Sequence, residues 1–195
     1  MQEKFNKASY IYLECQNRIN DMVKFKVGKN EVKKDELLKE FDYLLQIILF
    51  NVGIVDNNLT KKKLLFIDLL TTDGDILEEY NRKLSKEYTW EGLGNTNLEV
   101  DVLNNFINDA TMLFIDKINN LIMFLATNDA FRGDNDYLFF KEKIEEILKI
   151  YTNFDSVETE KEKAFIKYII DKMFLEKYLD LKAVFETISK NERLN

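Results

Sequence analysis

FDYLLQIILFNVGIVDNNLTKKKLLFI, residues 41–67, is the most apolar stretch of the chain and decides its fold. Phe41, Leu44, Leu45, Ile48 and Val52 recur at helical spacing, and Ile47, Leu49 and Phe50 carry the apolar surface most of the way round. A helix that is apolar on nearly every side must be covered by several neighbours, so this segment predicts a central helix over Asp35–Val52, with Asp35 as its N-cap. A polar turn follows, and Thr60 is placed to cap a second helix whose inner face is Leu64, Phe66, Ile67 and Leu70.

Outward from this centre, the same periodicity predicts helices almost everywhere. Residues 3–27 form a first helix with Phe5, Ala8, Ile11, Tyr12, Cys15, Ile19, Met22 and Val23 inward, and Gly28 closes it. A short helix carries Ile76, Leu77, Tyr80 and Leu84, and a long helical region runs from Leu98 to Thr127. Two further helices span Tyr137–Tyr151 and Glu160–Ser189, the second with a break near Glu176. No pair of strands is predicted. The chain has 195 residues, no proline and six glycines, which suits one all-α domain, residues 1–195, built as a bundle of seven to eight helices.

Absences narrow the chemistry. Without histidine the chain lacks the usual general base near neutral pH and the commonest metal ligand, and neither Ser-His-Asp nor Cys-His catalysis can be built. One cysteine, Cys15, allows neither an internal disulfide nor a multi-cysteine zinc site, and its place among Ile11 and Ile19 reads as a buried structural thiol. The amino-terminal residues are charged and no apolar run reaches membrane-spanning length, so a soluble, cytoplasmic protein without membrane contact is expected.

The central turn has an echo. Val55–Ile67 aligns without a gap on Phe154–Ile166, matching Asp56, Thr60, Lys62, Phe66 and Ile67 to Asp155, Thr159, Lys161, Phe165 and Ile166. In both copies a helix precedes the Asp and the Thr caps the next helix, so the chain reads as two pseudo-repeated helix–turn–helix units. The second copy is a capping box, Thr159-x-x-Glu162, whereas the first carries Lys63 in the glutamate's place.

A helix, then Asp-Gly-x-Ile-Ser/Thr-x-x-Glu, then a helix, occurring twice in an acidic all-α chain, resembles the tellurite-resistance TerB-like family. Here the copies read Asp56-Asn57-Asn58-Leu59-Thr60-Lys61-Lys62-Lys63 and Asp155-Ser156-Val157-Glu158-Thr159-Glu160-Lys161-Glu162, both without the motif's Gly. The resemblance implies a compact helical module associated with metal or stress responses and with larger assemblies, and no defined reaction.

Asp73-Gly74-Asp75 imitates part of a calcium loop, but the loop's first and last ligand positions would be Leu69 and Tyr80, which supply no carboxylate. Asp129, Asp134 and Asp136, with Asn128 and Asn135, could gather oxygens around a divalent cation, as could Asp56 or Asp155. A solvated loop with Asp134 or Asp136 as N-cap is the preferred reading, and no cofactor is expected. Gly92-Leu93-Gly94 lacks the flanking strand of a phosphate loop, and Lys61-Lys62-Lys63 reads as a solvated basic face.

Charge is concentrated. From Thr71 to Asp136 there are thirteen acids and five bases, a balance of −8 against −7 for the chain, leaving the rest at +1. Such a segment repels nucleic acid and suits a basic protein partner. The candidate partner-binding residues are Trp90 and Glu91, in the aperiodic stretch Glu87–Asn97, with Asp73, Asp75, Glu78 and Glu79. Three functions are therefore expected in order: a non-enzymatic, TerB-like interaction module binding a protein; an acidic inhibitor or decoy occupying a basic nucleic-acid-binding surface, as small phage inhibitors do; and a carboxylate-based divalent-metal-binding protein. The oligomeric state stays open.

Overall fold

The computed structural model describes residues 1–23, 34–55, 59–71, 121–171 and 177–193. Among these residues there are seven helices and no strand, so the expectation of an all-α bundle holds. They are α1 (Gln2–Val23), α2 (Lys34–Ile54), α3 (Lys61–Leu70), α4 (121–132), α5 (Asp136–Thr152), α6 (Glu160–Ile169) and α7 (Lys177–Arg193).

α2 is the central helix. Leu44, Leu45, Leu49 and Val52 have no exposed surface, and Ile47, Ile48 and Phe50 are buried around the remaining sides. It packs against α1, α3, α5 and α6. Its first residue is Lys34, so Asp35 lies inside the first turn and is not the N-cap; with Glu36 it still sets negative charge against the helix's positive end. Gly53, near its other end, permits a close approach. A Cβ there would lie 2.6 Å from Tyr151 Oη and 2.7 Å from Leu59 Cδ1.

Among the described residues the longest seam joins α1 to α5. Lys7 pairs with Glu146 at 2.8 Å, Glu14 with Lys143 at 2.6 Å and Arg18 with Asp136 at 2.5 Å, an order that makes the two helices antiparallel. Under this rail of charge, aromatic rings tie the layers together. Phe66 of α3 meets Phe5 at 5.5 Å, Tyr151 at 5.4 Å and Phe154 at 4.9 Å between centroids, and Phe41 meets Phe140 at 5.5 Å. Such contacts add ~0.5–1.5 kcal/mol each beyond the area they bury.

One further boundary differs from expectation. Residues 128–136 read as a polar loop, yet α4 continues to residue 132 and only 133–135 connect it to α5. Asn128 and Asp129 are buried on that last turn, and Gly133, at φ +73°, ends it with its N–H on Asp129 O at 3.1 Å. In the final helical region α6 spans Glu160–Ile169 and α7 starts at Lys177, and the expected break near Glu176 lies outside the described residues. Gly28, the expected helix around Leu77 and the Glu87–Asn97 stretch lie outside the described residues.

Candidate functional site

The two repeated turns, ninety-nine residues apart in sequence, close on each other. Thr60 has φ −90° and ψ 163°, and Thr159 has φ −89° and ψ 161°, the extended geometry of an N-cap. Thr60 Oγ1 accepts from Lys63 N at 3.1 Å, and Thr159 Oγ1 accepts from Glu162 N at 3.2 Å. The second copy is a complete capping box, with Glu162 Oε2 accepting from Thr159 N at 2.8 Å. Equivalent residues therefore do equivalent backbone work, as the repeat predicts.

What joins the copies is a cross-connection. Thr60 Oγ1 donates to Asp155 Oδ2, so one copy's cap serves one oxygen of the other copy's turn carboxylate. Lys63 Nζ donates to Glu162 Oε1 at 3.0 Å, and both side chains are fully buried. These two residues hold the same third position after their capping threonines. The Tyr151 ring lies 5.6 Å from the ammonium, adding its negative face to the enclosure. Lys63 corrects the sequence reading: of the basic run, Lys61 and Lys62 are half-buried, whereas Lys63 is enclosed by the junction of α3 and α6. A buried ammonium is tolerated only against a counter-charge, and Glu162 supplies it.

A second polar cluster lies at the α4–α5 junction. Asp129 Oδ1 accepts from Asp136 N at 2.7 Å, and Oδ2 accepts from Tyr137 N at 3.1 Å and from Tyr178 Oη at 2.7 Å. Asp129 thus caps α5 from the preceding helix and fastens α7, while the adjacent N-cap, Asn135, makes no side-chain cap bond. The expected caps are corrected accordingly: Asp134 pairs with Arg132 at 2.7 Å, and Asp136 is the first residue of α5, its Oδ1 taking Arg18 Nε at 2.6 Å. The three acids are turned to separate partners. Among the described residues no group of three or more acids or cysteines is arranged to hold a metal ion.

Tyr137 and Tyr178 stack at 3.8 Å between centroids, and burial pushes the Tyr137 hydroxyl up to about 12. Tyr178 is raised too, by burial and then by its bond to Asp129. Cys15 is buried, and desolvation takes its thiol up to about 12, as fits a structural thiol. Asp155 is half-buried. Asp56, Asp73, Asp75, Glu78, Glu79, Trp90 and Glu91 lie outside the described residues. Compared with known proteins, the chain matches no family model, no curated protein and no solved structure.

Proposed function

We propose that the chain is a non-enzymatic helical interaction module, similar to TerB-like proteins, that binds a protein partner inside the cell. The observation that carries the reading is the Lys63–Glu162 pair. Where the two capping threonines and their helices meet, a lysine ammonium already neutralises the buried glutamate at 3.0 Å. The paired turns then act as a joint that fixes two helix–turn–helix units against each other, and recognition is left to the outer surface. Tyr10 and Leu13, one turn apart on the outer side of α1, are 64% and 53% exposed and are residue types suited to protein contact. A cytoplasmic setting accords with a single buried thiol and with the lack, among the described residues, of a helix long and apolar enough to cross a membrane.

The −8 balance from Thr71 to Asp136 favours a second reading, an acidic decoy for a basic nucleic-acid-binding protein. Direct binding of nucleic acid is expected under neither. Two measurements test these readings. The full chain, tagged and used as bait in native lysate, should recover a protein partner; a decoy should recover one nucleic-acid-binding protein and lose it steeply with salt, since screening at physiological ionic strength acts beyond ~8 Å. Millimolar calcium or magnesium should leave the melting temperature unchanged, because only a ligand that prefers the folded state raises it. A rise abolished by Asp155→Asn would overturn the module reading in favour of metal binding.

A further inference from the structure

Asp136 is a fully buried carboxylate with only one of its two oxygens bonded. That oxygen, Oδ1, takes both contacts from Arg18, Nε at 2.6 Å and Nη2 at 2.5 Å. The other oxygen, Oδ2, is enclosed and has no hydrogen-bond partner. Two more carboxylates stand near it, Asp129 from α4 and Asp134 from the α4–α5 connection, while Arg18 of α1 is the opposing cation. Asp129 cannot relieve the strain, since its oxygens already serve two backbone N–H groups and the Tyr178 hydroxyl. Arg18 is 39% exposed, with its guanidinium 5.7 Å from the Phe139 ring, so it has a route to solvent that Asp136 lacks.

We propose that the Arg18–Asp136 contact is a pH-sensitive joint in the α1–α5 seam, in which a proton taken up on Asp136 Oδ2 releases Arg18 to solvent while the bundle stays folded. A proton removes the buried charge at the oxygen that nothing compensates, and the bonds from Arg18 lose the charge on their acceptor and weaken to those between a guanidinium and a neutral carbonyl oxygen. The direction agrees with the surroundings: burial raises Asp136 above the usual 3.8, more than the Arg18 hydrogen bond and charge lower it, with Asp129 and Asp134 adding to the rise. The remaining rail, Lys7–Glu146 and Glu14–Lys143, keeps α1 seated, because Glu146 is held low by Lys7 and Lys143 is held high by Glu14. The joint thus loosens one end of α1 alone.

The full chain, isotopically labelled, is titrated by NMR from about pH 7 towards pH 4, the range in which a raised carboxylate changes charge. The Asp136 carboxyl carbon should titrate above the ordinary aspartate range. Protection of the Arg18 Nε–H from solvent exchange should fall at least about tenfold with that same midpoint, while helical circular dichroism persists. Asp136→Asn should show the unprotected Arg18 already at neutral pH. Arg18→Gln should move the Asp136 midpoint further up, because its one counter-charge is gone. An Asp136 midpoint at or below the ordinary range, or Arg18 protection unchanged until the helices melt, would overturn the proposal, whether or not either variant folds.

Discussion

Replacing Lys63 by Met tests the joint between the repeated turns. The thioether nearly fills the volume of the lysine stem beside the Tyr151 ring, so little cavity is created. What is lost is the ammonium, leaving Glu162 Oε1 charged and fully buried with its partner gone, although Oε2 keeps the Thr159 N–H at 2.8 Å. Removing one member of a buried pair costs ~3–5 kcal/mol, since an uncompensated charge remains. For a chain of 195 residues each kcal/mol moves the melting temperature by ~2–4 °C, so a fall of roughly 6–20 °C is expected. Glu162→Gln alone should also destabilise, stranding the ammonium instead. The double variant, neutral at both positions, should cost less than the sum of the singles by ~1–3 kcal/mol, the range of coupling between contacting residues. Urea denaturation of the four proteins gives the cycle. Single losses below ~1 kcal/mol, or strict additivity, would refute a buried and coupled pair.

Four further outcomes follow from the same packing. Leu45→Ala, at a site with no exposed surface at the centre of α2, should cost ~2–5 kcal/mol in the same titration, and a surface-like loss below about 1 kcal/mol would reject the central helix. Thr60→Ala should cost ~1–3 kcal/mol because it removes both the α3 cap and the hydroxyl that serves Asp155, whereas Thr60→Ser should retain most of the stability. Gly53→Ala should destabilise by ~1–3 kcal/mol as its methyl meets the Tyr151 hydroxyl and Leu59, and a neutral result would show that α2 stands further from α5. Asp136 is raised in the folded chain, so ionising it costs stability: the cost is complete above its folded pKa and disappears as pH falls towards the unfolded value near 3.8. The stability of the wild type relative to Asp136→Asn should therefore rise as pH is lowered through that window, and a flat difference would refute it.

The features legible in the sequence were those set by neighbours along the chain. The encircling apolar pattern of Phe41–Val52 identified α2, because a helix without a polar face has nowhere to lie but inside. Thr60 and Thr159 were legible as caps because capping is decided within three residues. Lys63 was not, because a basic run reads as solvated until its counter-charge is known, and Glu162 lies ninety-nine residues away. Asp129 escaped for a related reason: it reaches past the adjacent N-cap to amides seven and eight residues on, and then takes a hydroxyl from α7. The one local signal for the joint was the mismatch itself, lysine at the place where the second copy has glutamate. Opposite charges at equivalent positions of two repeats are what a pseudo-symmetric contact requires.

Lys63 enclosed against Glu162 is the contact on which the paired turns depend, and the ammonium itself reports it directly. Side-chain N–H signals of exposed lysines vanish at neutral pH through rapid exchange with water, while those of an enclosed, ion-paired ammonium persist. In lysine-labelled protein at neutral pH, a persistent Nζ signal should be present, lost in Lys63→Met and weakened in Glu162→Gln. A Lys63 ammonium that exchanges as fast as Lys61 and Lys62 would contradict the paired turns as the centre of this fold.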